Sequence, residues 1–262
     1  MAIPKLALIP ASQGTKLYSV LPANGVGDFA FTRGSSATRI NSQGLIETVA
    51  SGVSRLNYPL IDGVVNGCPS HLLEPTRLQL IQYSEDFDNA YWAKTRIETP
   101  YIADVVSPTG ELNAYTLEIS SGEVNGGGIL RTISVSGTNS ISIFAKKKNT
   151  KYLIIGDENF NNDGVWFDLE NGSVATEYGL ANGSIENYGN GWYRCIMTYT
   201  KTSSLSKFIY FSNIDGTSTN GVVGGDSVYI FGAQLEQGSF PTSYIPNYGT
   251  AAGVTRSAET AN

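Results

Sequence analysis

Trp166 and Trp192 are the residues of this 262-residue chain whose type and setting best suit contact with the apolar face of a sugar ring. Glycan recognition pairs aromatic faces with planar polar groups that take the hydroxyls. Both lie in strand-like runs, where alternation assigns each side chain to a face. In Trp192–Tyr199 the set Tyr193, Cys195, Met197 and Tyr199 is uniformly large or apolar and faces a core, which sends Trp192 and Arg194 to the outer face. In Val165–Leu169, Val165, Phe167 and Leu169 share one face, and Trp166 with Asp168 share the other. These placements predict a ligand-binding groove lined by Trp166, Trp192, Arg194 and Tyr210. The competing reading packs the same aromatics under the N-terminal segment or a neighbouring subunit, since large aromatics more often contribute buried area than ligand platforms.

Other site chemistry is sparse. A single histidine, His71, and two cysteines, Cys68 and Cys195, exclude a multi-histidine zinc site, a four-cysteine cluster and a disulfide scaffold. A Ser-His-Asp triad would rest on His71, which lies between Pro69-Ser70 and Leu72-Leu73-Glu74-Pro75 and reads as structural. Asp157-Glu158-Asn159-Phe160-Asn161-Asn162-Asp163, with Asp168 in twelfth place, echoes a calcium loop. It has Asn162 where the sharp-turn glycine belongs and Asp168 where a bidentate Glu is usual, so it reads as a polar hairpin loop. No metal and no cofactor are expected. A depolymerase needs a carboxylate pair. Asp157, Glu158, Asp163, Asp168 and Glu170 sit in or beside turns, and nothing marks one as desolvated. The chain is therefore read as non-enzymatic.

Charge narrows the partners. The formal charge is −6, and a net negative field repels phosphate backbones, so nucleic acid is not an expected partner. The one basic run, Lys146-Lys147-Lys148, reads as a solvated edge that blocks stray strand pairing. No apolar run approaches the roughly 20 residues of a membrane span. The opening Met1–Pro10 is too short and proline-broken for a signal peptide, which predicts a cytosolic setting with reduced thiols.

The elements that must position these residues are strands. Apolar residues make up 41% and charged residues 15%, with 29 Gly, 10 Pro and 15 Tyr, a balance that favours an all-β protein over a helical one. From about residue 86 strand-like runs recur: Ala114–Ile119, Ile129–Val135, Ser140–Ala145, Lys151–Ile155, Val165–Leu169, Trp192–Thr200, Lys207–Ser212 and Ser227–Leu235. Asn171-Gly172, Asn182-Gly183, Asn190-Gly191 and Asp215-Gly216 read as their turns. The fold class expected is an all-β, two-sheet antiparallel jelly-roll sandwich over residues 86–247, with a tail at 248–262. Within it Tyr115, Leu117 and Ile119 point inward. So do Tyr229, Phe231, Ala233 and Leu235, leaving Gln234 and Glu236 outward. Residues 1–85 show no sustained period and only short extended pieces, Lys16–Leu21, Phe29–Arg33, Ala37–Ile40 and Leu45–Val49. They read either as an extended arm ordered by packing on something else or as an extra layer of strands. As an arm, they would leave a truncation starting near residue 86 folded.

Several segments resemble bacteriophage structural proteins of tail, fibre and head-spike type. Phe31-Thr32-Arg33-Gly34-Ser35-Ser36-Ala37-Thr38-Arg39-Ile40-Asn41 with Gly44-Leu45-Ile46-Glu47 is similar to their leader motif. Cys68-Pro69-Ser70, Leu72-Leu73-Glu74-Pro75 and Tyr83-Ser84-Glu85-Asp86-Phe87 continue the match. Gly189-Asn190-Gly191-Trp192-Tyr193-Arg194-Cys195 resembles the central signature. The closing strand corresponds to Gly232-Ala233-Gln234-Leu235-Glu236-Gln237-Gly238 with Thr242-Ser243-Tyr244-Ile245-Pro246. Gly249-Thr250 and Val254-Thr255-Arg256-Ser257-Ala258-Glu259 match the tail motif. Many relatives carry Asn-Leu after the Glu-Pro element, where this chain has Thr76-Arg77-Leu78-Gln79-Leu80. The resemblance implies a virion component, assembled in the host cytoplasm, whose jelly roll is similar to carbohydrate-binding modules. It implies a homotrimer, contacts to other virion proteins through residues 1–85, and a cell-surface glycan as ligand. Longer relatives continue into another β domain, so no distal receptor-binding tip is expected here.

Overall fold

Short runs of β-branched and aromatic residues, broken by glycine and asparagine, leave no segment that favours a helix. In a computed structural model of the chain, the described residues contain none. Described are residues 31–261 except 104, 158–162, 202–204 and 219, together with short strands at Ser12–Gln13 and Lys16–Leu17. Two six-stranded antiparallel sheets make up the body. Their strands are β1 (Ala93–Thr95), β2 (Tyr101–Ile102), β3 (Tyr115–Glu118), β4 (Gly128–Ile133), β5 (Gly137–Lys147) and β6 (Tyr152–Asp157). The series continues with β7 (Asp163–Asp168), β8 (Ser173–Gly179), β9 (Asn182–Gly189), β10 (Trp192–Lys201), β11 (Leu205–Ser212) and β12 (Ser227–Gln237). One sheet runs β1-β4-β11-β6-β7-β8 and the other β2-β3-β12-β5-β10-β9.

All eight strand runs expected after residue 86 form. Strands β8 and β9 were not expected. They are largely exposed edge strands, Ser-Val-Ala-Thr-Glu-Tyr-Gly and Asn-Gly-Ser-Ile-Glu-Asn-Tyr-Gly, so they lack the apolar alternation that marks a half-buried strand. The expected turn at Asn182-Gly183 lies inside β9. Gly183 is needed there for close packing rather than for its dihedral, because a Cβ would stand 2.5 Å from Val165.

One apolar core lies between the two sheets, giving a sandwich-like body. The second sheet sends in Leu117, Ile141, Ile143, Cys195, Met197 and Tyr199, and the first Ile129, Leu153, Ile155, Val165, Phe167 and Phe211. Alternation assigned β3, β7 and β10 correctly, with Tyr193 packing partly buried against this core. In β12 it failed. Val228 and Ile230 face the core and then Ala233 and Leu235, while Phe231 and Tyr229 pack on the opposite side. The cause is a bulge. Ser142 pairs Gln234 but Phe144 pairs Phe231, so β12 spends one extra residue and the period of two slips there. Gly232 sits in it at φ 59°, where a Cβ would press at 3.1 Å on Phe144 and Tyr244.

Residues 31–85 pack back onto this body. The hairpin Ala37–Ile40/Ile46–Val49 lays Ile46 and Ile40 against Phe144, Trp192, Phe231 and Tyr244 on the outer face of the second sheet. The last described residues join this segment, with Phe31–Thr32 pairing Thr260–Ala261 and Arg77–Gln79 pairing Val254–Arg256. Gln79 extends the ladder with its side chain. Its Oε1 accepts from the N–H of Leu235 at 2.9 Å and of Ile81 at 3.0 Å, and its Nε2 donates to the Ala233 carbonyl at 2.8 Å. The expected piece Lys16–Leu21 is described only at Lys16–Leu17, and Asn24-Gly25 and Gly27-Asp28 lie outside the described residues.

Candidate functional site

Two-residue hairpins with Asn-Gly at their centre suit the twist of antiparallel strands, because both positions take positive φ at low cost. Asn190 and Gly191, at φ 52° and 79°, close β9 onto β10 in this way. The hairpin forms one wall of a groove of about 520 Å³. The Asn171-Gly172 turn after β7 and the segment around Tyr58–Asp62 form the others. Tyr58, Tyr188 and Tyr193 line it together with Asn57, Asn171 and Asn187. That volume lies within the range of ligand pockets.

The walls are held close by glycines. A Cβ at Gly63 would stand 2.4 Å from the Gly189 nitrogen and the Asn187 side-chain oxygen, so the turn after Tyr58 abuts the backbone of β9. At Gly172 a Cβ would stand 2.5 Å from the Tyr193 ring. Hydrogen bonds fix the amides. Asn187 Oδ1 accepts from the Gly189 N–H at 2.9 Å, and Asn57 Oδ1 from the Ile40 N–H at 2.8 Å. Asp168 accepts from the N–H groups of Glu170 and Asn171 at 2.9 and 3.0 Å and from Asn171 Nδ2 at 2.8 Å. Burial works against the Asp168 charge, but Asn171, Lys151 and the Glu170 N–H outweigh it, so its carboxyl stays below the ordinary range. Asp168 is thus a turn anchor.

Tyr188 stands with its ring edge-on to Phe144 at 4.9 Å. Burial pushes its phenol up, and the neighbouring Arg194 only partly offsets that. The charged groups lining the groove are Asp62 and Glu186, and no Lys or Arg of the described residues lines it. A smaller adjoining cavity of about 210 Å³ shares Ile40, Asn57, Glu186 and Tyr188 and reaches Arg194.

The four residues expected to form one groove do not share one. Trp166 and Tyr210 flank Ile154 across three neighbouring strands of the first sheet. Trp192 and Arg194 lie on the outer face of the second. All four are buried. Alternation placed Trp166, Trp192 and Arg194 on outer faces, but other parts of the chain cover those faces. Trp192 donates its indole N–H to the Val106 carbonyl at 2.9 Å, and Trp166 to the Thr217 carbonyl at 3.1 Å. Arg194 donates to Ser142 Oγ from Nε at 3.2 Å and from Nη2 at 3.1 Å. Gln234 and Glu236 were likewise expected outward and are buried under residues 242–245. Glu236 accepts from the Thr242 N–H at 2.8 Å and hydroxyl at 2.6 Å, and Gln234 Oε1 from the Ile245 N–H at 2.6 Å. The groove tyrosines were missed. Their signal is an aromatic beside an amide in turn-rich sequence, Asn57-Tyr58 and Asn187-Tyr188-Gly189.

A second constellation is wholly internal. Arg33, Arg55 and Arg256 meet Glu74 and Glu259, and the side chains of all but Glu74 are fully buried. Arg55 reaches Glu259 at 2.5 Å, Glu74 at 2.9 Å and the Thr38 carbonyl at 2.6 Å. Glu74 also accepts from the Ser243 N–H at 2.8 Å and hydroxyl at 2.6 Å. Buried charges persist when paired and hydrogen-bonded, and this cluster supplies carboxylates, carbonyls and hydroxyls for that purpose, leaving only Arg256 Nε of its buried nitrogens without a partner.

Remaining motifs resolve into local roles. His71 Nδ1 and Ser54 Oγ lie 2.7 Å apart, but Ser54 is buried, so the pair ties Leu56–Asn57 to Ser70–His71. Cys68 and Cys195 are both free thiols, and burial pushes the Cys195 thiol well up. Most of the loop likened to a calcium site, 158–162, lies outside the described residues. Among the described residues no three His, Cys, Asp or Glu are grouped to hold a metal. Lys147 pairs Glu170 at 2.5 Å and Lys148 pairs Glu118 at 3.5 Å. In comparisons with known proteins, no family model and no curated protein matches the chain.

Proposed function

We propose that this chain is a non-enzymatic structural protein of a bacteriophage particle that meets a host-surface glycan through the groove at Tyr58, Tyr188 and Tyr193. The observation that carries the virion part is where the resembling motifs go. Arg33 of the leader motif, Glu74 of the Glu-Pro element, Ser243 of the closing segment and Arg256 with Glu259 of the tail motif meet in one buried charge cluster. Motifs scattered over the whole sequence thereby acquire one physical reason to occur together and in order. The strand orders β3-β12-β5-β10 and β4-β11-β6-β7 support reading the body as a jelly-roll sandwich of eight principal strands in two sheets.

In this reading the parts of residues 1–85 that do not line the groove dock to other virion proteins, three copies associate, and the groove presents its tyrosine rings and amides to sugar. Binding of a glycan array by the full chain, lost in Tyr58→Ala without a change in unfolding midpoint, is the expected result. An unchanged array profile would remove the groove from the proposal. Position and copy number in an intact particle test the virion part, and absence from purified particles would overturn it. A second reading, a decoration or adaptor protein without a ligand, draws on the burial of Trp166 and Trp192, the aromatics with most area to offer a sugar.

A further inference from the structure

We propose that the groove takes neutral and amino-bearing glycans and rejects acidic ones, with Asp62 and Glu186 as the residues that set this selectivity. The inference rests on reading the groove as a glycan site and adds the chemical class of its ligand. Every group that lines the groove is an aromatic, an amide, an aliphatic or a carboxylate, apart from backbone. Asn57 uses both ends of its amide, on the Ile40 N–H and the Tyr58 carbonyl, whereas the other two amides are oriented and half-used. Asn187 spends its carbonyl oxygen on Gly189, and Asn171 its amino group on Asp168. Asn187 Nδ2 remains as a donor and Asn171 Oδ1 as an acceptor, the pairing that a sugar hydroxyl, itself donor and acceptor, satisfies.

A uronate, sialate or sulfate would bring a further negative charge beside two carboxylates in a walled groove. Such charges repel more strongly there than in open water. No cation of the described residues lines the groove itself: Arg39 is engaged by Glu47, and Arg194, the register partner of Glu186, lines the adjoining cavity and donates to Ser142. The whole chain adds a net charge of −6 to the same sign. A protonated amino sugar meets the opposite field. Asp62 also sits at φ 50°, a conformation that Asp and Asn adopt more readily than other side chains, so its carboxylate can be neutralised without disturbing the backbone.

The experiment is a glycan array spanning neutral, amino-bearing and acidic oligosaccharides, followed by titration calorimetry of matched hits at an ionic strength of about 20 mM. Full-length protein and the Tyr58→Ala and Asp62→Asn/Glu186→Gln variants are compared. Neutral or glucosamine chains should bind the wild type on the order of ten-fold more tightly than galacturonate chains of equal length. The double variant should bring neutral and galacturonate chains to within about three-fold of each other, mainly by improving the acidic ligand. Acidic chains binding as tightly as neutral ones, with Tyr58→Ala still abolishing both, would overturn the selectivity and leave the glycan site standing. A wild-type preference that the double variant leaves unchanged would remove Asp62 and Glu186 as its cause. No binding to any class, or binding indifferent to Tyr58→Ala, would overturn the selectivity together with the site.

Discussion

Arg55 is wholly buried, and its guanidinium meets two carboxylates, a hydroxyl and a backbone carbonyl. Removing one partner from such a cluster strands the charges that remain, which costs about 3–5 kcal/mol. Glu259→Gln should therefore lower the urea midpoint by that equivalent, far more than loss of the exposed surface pair Lys147–Glu170 in Glu170→Gln. Two other glutamates give opposite pH signatures. Burial opposes the Glu74 charge, but Arg256, Ser243 and Arg55 outweigh it and hold its carboxyl below the usual 4.5. A depressed carboxylate contributes stability that is present above its unfolded value and is lost as pH falls through the folded one. Glu74→Gln should thus be destabilised at neutral pH, and the gap to the wild type should close only as pH falls below the usual 4.5 and through the depressed folded value. Burial raises Glu85 instead, with Glu111 adding to it and the Tyr244 hydroxyl only partly relieving it. Its ionised form costs stability at neutral pH, and that cost disappears as falling pH protonates it. Glu85→Gln keeps an acceptor for the Tyr244 hydroxyl, now at 2.9 Å. It should stabilise at pH 7 and lose the advantage in acid, which thermal melts across pH will read.

At the scale of elements, Trp192 separates what a strand pattern says from what it leaves open. Period-two alternation gives the face of a side chain, and for β10 it was read correctly from the sequence. Whether that face meets water depends on another element, and here the Ala37–Ile40/Ile46–Val49 hairpin and Tyr244 cover it. Trp192→Ala should accordingly cost about 3–5 kcal/mol in denaturant unfolding, as a buried aromatic does, rather than act selectively on ligand binding. The β12 bulge was not legible for a different reason. Val228–Leu235 is apolar at nearly every position, so the only cue to a slip in period was Gly232, one glycine among 29. The groove depends on turns in the same way. Gly172→Ala places a Cβ at φ 65° and 2.5 Å from the Tyr193 ring. It should cost more than the roughly 1 kcal/mol of a left-handed residue alone and weaken groove binding along with stability.

Residues 31–85 are held to the body by contacts with residues 242–261. Deleting residues 1–85 removes Arg33, Arg55 and Glu74 from the charge cluster, Ile81 from the core and Ile46 from the Trp192 face. The remainder would carry a buried Arg256–Glu259 pair stripped of its partners and an uncovered aromatic face. That truncation is expected to be insoluble or molten, as judged by lost near-ultraviolet dichroism. A folded, cooperative remainder would instead restore the separable arm expected from the sequence. Taken by itself, the sequence determined the all-β class, the eight principal strands, the Asn190-Gly191 hairpin and the inward faces of β3, β7 and β10. These follow from local propensity, turn chemistry and a period of two, all of which act over a few residues. Tertiary structure alone decided which outer faces are covered, that Arg33, Glu74 and Glu259 meet, and that Tyr58 joins Tyr188 and Tyr193 around one groove. Those facts depend on contacts between separate elements, up to 226 positions apart for Arg33 and Glu259, and no local pattern encodes such a meeting.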